Sequence, residues 1–307
     1  EMQRSLVGSE MCIRDSRIVL GPWPHGLNAW RDSMDLAFGN NAVDYDFDTR
    51  IIRWFDHYLK GIENGEDKKP KATYYVNGEN QWHTSEDWMP KEARLVNLYL
   101  DSDGHANSMN GDGRVTLTPA ETGSDAYVYD PEFPCGGEGD GFDDGLVSPY
   151  KCNSRQIRSD VLVYDTPVLD QDIAIAGPLY AELYAASSAV DTDFIVRVSD
   201  VDEQGTARNV SFNIIRAEFR KGWDKPELLT PGKIEKYEME MYFYGMVFKK
   251  GHKIRIDISS SELMEAFPNT NTGIDPYTDP KPIKATQTIY HGREYPSHVK
   301  LPVLYGL

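Results

Sequence analysis

The sequence predicts a mainly β chain, a β-sandwich filling most of its length behind one short strand and one helix. Three observations carry this. Polar and apolar residues alternate in Lys236-Tyr237-Glu238-Met239-Glu240-Met241 and in Lys253-Ile254-Arg255-Ile256-Asp257-Ile258, the period of a half-buried strand. Turn signals separate such runs, among them Asp202-Glu203-Gln204-Gly205, Pro231-Gly232 and Lys250-Gly251,. Helical spacing is clear in one place, where Ile51, Ile52, Phe55, Tyr58 and Leu59 form one apolar face,.

Taken in order, Glu1 to Ser16 has no basic start, apolar core or small-residue cleavage site, so it does not read as a signal peptide,. Its run from Ser5 to Ser16 resembles translated sequencing-adapter read-through. Residues 1–16 are therefore expected to be a non-native leader, with the native N-terminal part missing. The compartment stays open between cytoplasmic, periplasmic and secreted. Arg17 to Leu20 reads as a short buried strand that Gly21-Pro22 stops, because proline cannot donate to a sheet ladder,. A helix is expected over Thr49 to Lys60, with Asp48 as N-cap and Gly61 just past its end,. Glu63 to Lys71 reads as a charged linker. Beyond it Ala72 to Val76, Val161 to Tyr164 and Phe194 to Val198 are rich in β-branched and aromatic residues,. Many short strands with long returns suit a jelly roll. Cys135 to Gly145, rich in Gly and Asp, is expected to be a loop.

Composition narrows the function. A net charge of −17 excludes nucleic acid and anionic membranes as partners,. No apolar run approaches the ~20 residues of a membrane span, so the chain reads as soluble. A homo-oligomer is left open. Cys12, Cys135 and Cys152 are too few for a disulfide scaffold, and no C-x-x-C pair suggests zinc,. Cys135 and Cys152 flank the Gly-rich loop. A bridge between them would contribute roughly 3 kcal/mol, and two free thiols are the equal alternative.

His25 is the candidate catalytic residue. It lies in Gly21-Pro22-Trp23-Pro24-His25-Gly26, just after an apolar strand. A triad base needs an imidazole on a loop that can reach a nucleophile, titrating near neutrality so that it can take a proton and return it. The plain alternative is a loop histidine. His57 falls between core-facing helix positions and His252 precedes a strand, so both read as structural. His83, His105, His291 and His298 show no metal-ligand spacing,. Asp101-Ser102-Asp103-Gly104 starts like a calcium loop but lacks the later ligands,. No metal or cofactor is expected.

Several segments resemble the CocE/NonD hydrolases, the group of cocaine esterase, glutaryl acylase, α-amino-acid ester hydrolase and X-Pro dipeptidyl-peptidase. They are Ile18-Val19-Leu20-Gly21-Pro22-Trp23-Pro24-His25, Arg53 to Gly61, Asn77 to Trp82, Asp160 to Thr166, Ser187 to Phe194, Gly251 to Arg255, Asn269 to Gly273 and Pro296 to Pro302. Each is weak alone; together they run in order from Arg17 nearly to the end. The resemblance implies a C-terminal jelly-roll β-sandwich over residues 69–307, of X-Pro dipeptidyl-peptidase C-terminal type. Residues 17–68 would supply the last strand and helix of an α/β-hydrolase core. It also implies a Ser-Asp-His triad with only the histidine, His25, in this chain, since no G-x-S-x-G is present,. Phe142, in the Gly-rich loop, is the candidate acyl-pocket residue.

Two functions follow. The first is the C-terminal part of a serine hydrolase cleaving a small-molecule ester or amide, or an X-Pro peptide bond, through an acyl-enzyme, with this piece alone inactive. The second is a non-catalytic jelly roll that binds carbohydrate or another ligand, with Trp223 and Tyr277 as stacking platforms.

Overall fold

The computed structural model describes residues 16–23, 28, 31–33, 36–136, 150–263, 265–275, 278 and 281–307. The mainly β fold class holds, and it divides into a small α/β part and a sandwich.

The α/β part begins with β1 (Ile18–Leu20) and two short paired strands, β2 (Asp32–Ser33) and β3 (Leu36–Ala37). Helix α1 (Phe47–Lys60) follows, then β4 (Ala72–Val76) and β5 (Gln81–Ser85). β1 runs parallel to β4, with Ile18, Val19 and Leu20 opposite Ala72, Thr73 and Tyr74. Strand, helix and parallel strand make a βαβ crossover. β4 then turns back antiparallel into β5. Its β-branched and aromatic composition places Ala72–Val76 in the sandwich; it is a strand, but its partners are β1 and β5. Strand-favouring composition identifies a strand and is silent on which sheet takes it.

α1 starts two residues before the expected Thr49, with Asp46 rather than Asp48 at its N-cap. It ends at Gly61, which adopts the left-handed φ of 68° that disfavours any residue with a Cβ. There the Gly61 N–H reaches the His57 carbonyl at 3.0 Å and the Ile62 N–H reaches that of Asp56 at 3.0 Å. The expected apolar face is uncovered. No residue of α1 is buried, and Ile52 and Leu59 are 58% and 74% exposed. The segment read as a linker is an ordered clasp. Buried Glu66 meets Lys69 at 2.7 Å, Arg53 at 3.6 Å and Arg17 at 3.8 Å, and Arg17 also donates to the Pro70 carbonyl at 2.6 Å.

The sandwich is one sheet of eleven strands folded on itself. Its strands are β6 (Arg94–Asp101), β7 (Arg114–Thr116), β8 (Thr122–Tyr129), β9 (Leu162–Asp165), β10 (Ile173–Ser187), β11 (Asp193–Val201), β12 (Ala207–Arg216), β13 (Glu235–Phe248), β14 (Lys253–Ser259), β15 (Ala285–Gly292) and β16 (His298–Tyr305). The order is β12-β11-β14-β9-β7-β6-β16-β10-β15-β8, with β13 on the other side of β10. Neighbours are rarely consecutive, as the long returns of a jelly roll require. The interior is one apolar cluster that includes Leu98, Tyr129, Tyr164, Leu179, Phe194, Phe248, Ile256 and Val303, all nearly solvent-free. Side chains tie strands that do not pair in the ladder. Ser211 Oγ and Asn213 Nδ2 on β12 donate to the β13 carbonyls of Tyr242 and Glu240 at 2.7 and 2.6 Å. Asn107 Nδ2 donates to Ala126 O on β8 at 2.9 Å and to Ser159 O at 3.0 Å. These bonds satisfy carbonyls that would otherwise face an open edge. Among the described residues no helix is long and apolar enough to cross a membrane.

Candidate functional site

The segment that carries His25 is anchored on both flanks to one turn. After β1 the chain passes Gly21, where an added Cβ would lie 2.4 Å from the Trp23 ring; only glycine lets the indole fold back this closely. Trp23 Nε1 donates to the Ala42 carbonyl at 2.7 Å. Its ring stands edge-on to Phe47 at 5.8 Å and tilted on Trp82 at 5.6 Å. Past the histidine, Asn28 accepts from the Asp44 N–H at 2.6 Å and donates back to the Asp44 carbonyl. Asp44 is fixed in turn by Arg50 of α1 at 2.7 Å. Residues 24–27, His25 among them, lie outside the described residues, as do Phe142 and Tyr277.

Among the described residues no metal-binding group is found, and several of the other histidines are held by hydrogen bonds. His57 Nδ1 meets the Ile62 carbonyl at 3.0 Å. His252 Nδ1 faces both oxygens of Asp200 at 2.9 and 3.0 Å. His298 Nδ1 meets Pro296 O at 2.6 Å, and burial pushes its pKa down.

One trio has the composition of a triad, and pattern reading missed it because its members lie far apart in the chain. Ser102, Asp125 and His291 meet inside the sandwich. Ser102 Oγ donates to Asp125 Oδ2 at 2.7 Å and lies 3.1 Å from His291 Nε2, which is itself 3.1 Å from Asp125 Oδ2. A triad needs the acid on Nδ1 and the hydroxyl on Nε2, so that one nitrogen is oriented while the other takes the proton. Here both partners crowd Nε2, and Nδ1 is buried without a partner. Tyr164 OH and the Ala106 N–H also donate to Asp125, at 2.8 and 2.9 Å. These bonds outweigh burial and hold its carboxyl below the usual range. The side chains of Asp125 and His291 have no exposed surface. The cluster cross-links strands and offers a substrate no access.

Two segments of the resemblance converge at another buried cluster. Asn269 Nδ2 donates to Asp191 at 2.7 Å and to Asp193 at 2.9 Å. Asp193 accepts from Arg216 Nε at 2.9 Å, and Asp191 accepts the Glu218 N–H at 3.0 Å. Burial pushes the Asp191 carboxyl up to about 6, helped by neighbouring Asp193.

A third cluster anchors the chain on either side of residues 137–149. Glu262 takes both Arg155 and the fully buried Arg197. Arg197 also bonds Tyr150 and Asn209 and lies over the Tyr150 and Phe212 rings at 5.2 and 4.6 Å. Cys135 N–H donates to Ser261 Oγ at 2.7 Å, and Asn209 N–H to Tyr150 O at 2.9 Å. Cys135 and Cys152 are free and buried, with no bridge between them. Burial pushes each thiol up to about 11, which makes both poor nucleophiles.

An apolar cavity of about 440 Å³ lies between α1 and the β1–β4 pair. Val19, Phe47, Ile51, Trp54, Phe55 and Thr73 are among its walls. It lies on the α/β part, where the uncovered helix face is.

Comparison with known proteins agrees with this architecture. Residues 64–300 match the X-Pro dipeptidyl-peptidase C-terminal non-catalytic domain. The chain belongs to that family. Its likeness to the CocE/NonD hydrolases also holds: cocaine esterase of Rhodococcus sp. (strain MB1 Bresler) is 32% identical over 297 residues, covering 94% of this chain and 52% of that enzyme. Among solved structures, an aminopeptidase from a Thaumarchaeota archaeon superposes with a TM-score of 0.80 at 25% identity, over 94% of this chain and 49% of that one. An α-amino acid ester hydrolase does so at 0.76 and 25%, over 96% and 51%. The chain thus spans about half the length of the relatives it matches.

Proposed function

We propose that this chain works as the C-terminal half of a longer serine hydrolase that cleaves an ester or amide bond. A second layer would pack on the uncovered face of α1. The observation that carries the reading is the βαβ unit: a parallel strand ends in an anchored turn leading to His25, beside a helix whose apolar face has no cover. An apolar face of this kind calls for a packed layer, and the relatives carry about as much chain again as they share with this one.

In the whole enzyme His25 takes the proton of a serine supplied by the other half, an acyl-enzyme forms, and His25 then activates the water that releases the acid. Phe142 lends an apolar wall to the acyl pocket. The buried Arg155–Glu262–Arg197 cluster fixes the ends of the segment that carries it. The sandwich positions these groups and contributes no nucleophile, which fits the non-catalytic name of its family.

The test compares the 307-residue chain with the full reading frame. The chain alone should turn over neither nitrophenyl esters nor Xaa-Pro anilides, and should not be labelled by a fluorophosphonate. The full protein should do both, and its His25→Ala variant should lose turnover on the order of a million-fold, as removal of a triad member does. A full frame with no serine nucleophile, or a His25→Ala variant of normal rate, would overturn the proposal. The binding-module alternative has one observation behind it: Trp223, 82% exposed and resting on Phe219 at 4.9 Å. Glycan affinity lost in Trp223→Ala would favour it.

A further inference from the structure

Where β12 and β13 meet, the sandwich opens into a cleft of about 290 Å³. Tyr150, Asn209, Phe212, Tyr242, Tyr244 and Glu265 line it. It adjoins a smaller cavity of about 170 Å³ that shares Asn209, Val210 and Tyr244 with it. The chemistry of this lining is uneven: aromatic rings dominate, with a single carboxylate among them.

That carboxylate has no direct partner. The arginines that act on it, Arg155 and Arg197, are bonded to Glu262. Among the described residues the half-buried Glu265 side chain has neither a hydrogen bond nor an ion pair. Burial and the neighbouring Glu262 push its carboxyl up, with Arg197 and Arg155 opposing them. A desolvated charge without a partner is costly, and a cation brought by a ligand would remove the cost. The rings suit the same guest, because the negative face of an aromatic ring attracts a cation. Tyr150 and Phe212 already do this for Arg197 on the buried side. An anion would be repelled by Glu265, and a neutral ligand would leave the carboxylate as it was.

We propose that this cleft binds an organic ammonium ion, with the cationic nitrogen at Glu265 and the carbon skeleton against Tyr150, Phe212, Tyr242 and Tyr244. The site is built from sandwich residues and does not depend on the hydrolase reading.

The experiment is calorimetric titration of the 307-residue chain with choline and with its neutral carbon isostere, 3,3-dimethylbutan-1-ol. Choline should bind about tenfold more tightly or better, the ratio a carboxylate and aromatic cage confer on a cation. Glu265→Gln should cut that preference several-fold, leaving only what the rings contribute. Tyr242→Leu, at a ring 66% exposed and so tolerant of replacement, should weaken choline about threefold or more. Equal affinity for the two probes, absence of binding by both, or choline binding unchanged in Glu265→Gln would each overturn the proposal.

Discussion

Replacing Glu262 by Gln should destabilise the sandwich more than its single lost charge suggests. Glu262 is 4% exposed, and the guanidiniums it serves, Arg155 and Arg197, are 5% and 0% exposed. Arg155 Nη2 sits 2.7 Å from Glu262 Oε1. Of the neighbouring acids, Glu265 is half-buried and makes no ion pair with either guanidinium, and Asp165 and Asp257 are engaged elsewhere. Asp165 is held by Arg255 at 2.6 and 2.8 Å. Asp257 is 3.8 Å from Arg197 Nε and accepts from Gln156 at 2.8 Å. The amide would therefore leave one buried positive charge uncompensated, a change that costs about 3–5 kcal/mol. With an unfolding entropy of about 2.1 cal/mol/K per residue, a chain of this length should lose roughly 5–8 °C in Tm. Differential scanning calorimetry with urea titration at pH 7.5 would measure it. Adding Arg155→Met to Glu262→Gln should recover part of the loss, because the surplus charge leaves with the arginine. A fall in Tm below about 2 °C, or no recovery in the double variant, would refute the charge-compensation reasoning.

Two further outcomes follow from the other buried clusters. Asp191 titrates near 6 in the folded chain against an ordinary aspartate value of 3.8. The folded state therefore binds the extra proton between those values, and the stability Asp191 contributes at low pH is lost as pH rises through this window. Stability of Asp191→Asn relative to the parent, from urea unfolding at pH 4 and pH 7, should improve across that interval by up to about 3 kcal/mol; a constant difference would count against it. Ser102→Ala should cost about 1–3 kcal/mol by removing a buried hydrogen bond to Asp125, and should leave turnover of the full-length hydrolase unchanged. A well-folded Ser102→Ala enzyme with lost turnover would make the Ser102–Asp125–His291 trio catalytic after all.

The sequence by itself determined the mainly β class, the extent of α1 to within two residues at one end, and the turns at Gly205, Gly232 and Gly251, all of which adopt positive φ. These are local properties, set by period and by residues with special backbone freedom. The tertiary structure decided which strands share a sheet. It sent Ala72–Val76 to β1 and β5, and it closed the β12–β13 corner through Ser211 and Asn213. It also decided which polar residues meet. Ser102 finds His291 across 189 positions, Arg155 finds Glu262 across 107, and Glu265 joins Tyr150 in one cleft. No periodicity encodes such pairs, because each partner is selected by where the folded sheet returns the chain. The apolar face of α1 marks the boundary between the two kinds of information. Its spacing was legible residue by residue, but only the fold revealed that nothing in the described chain covers it.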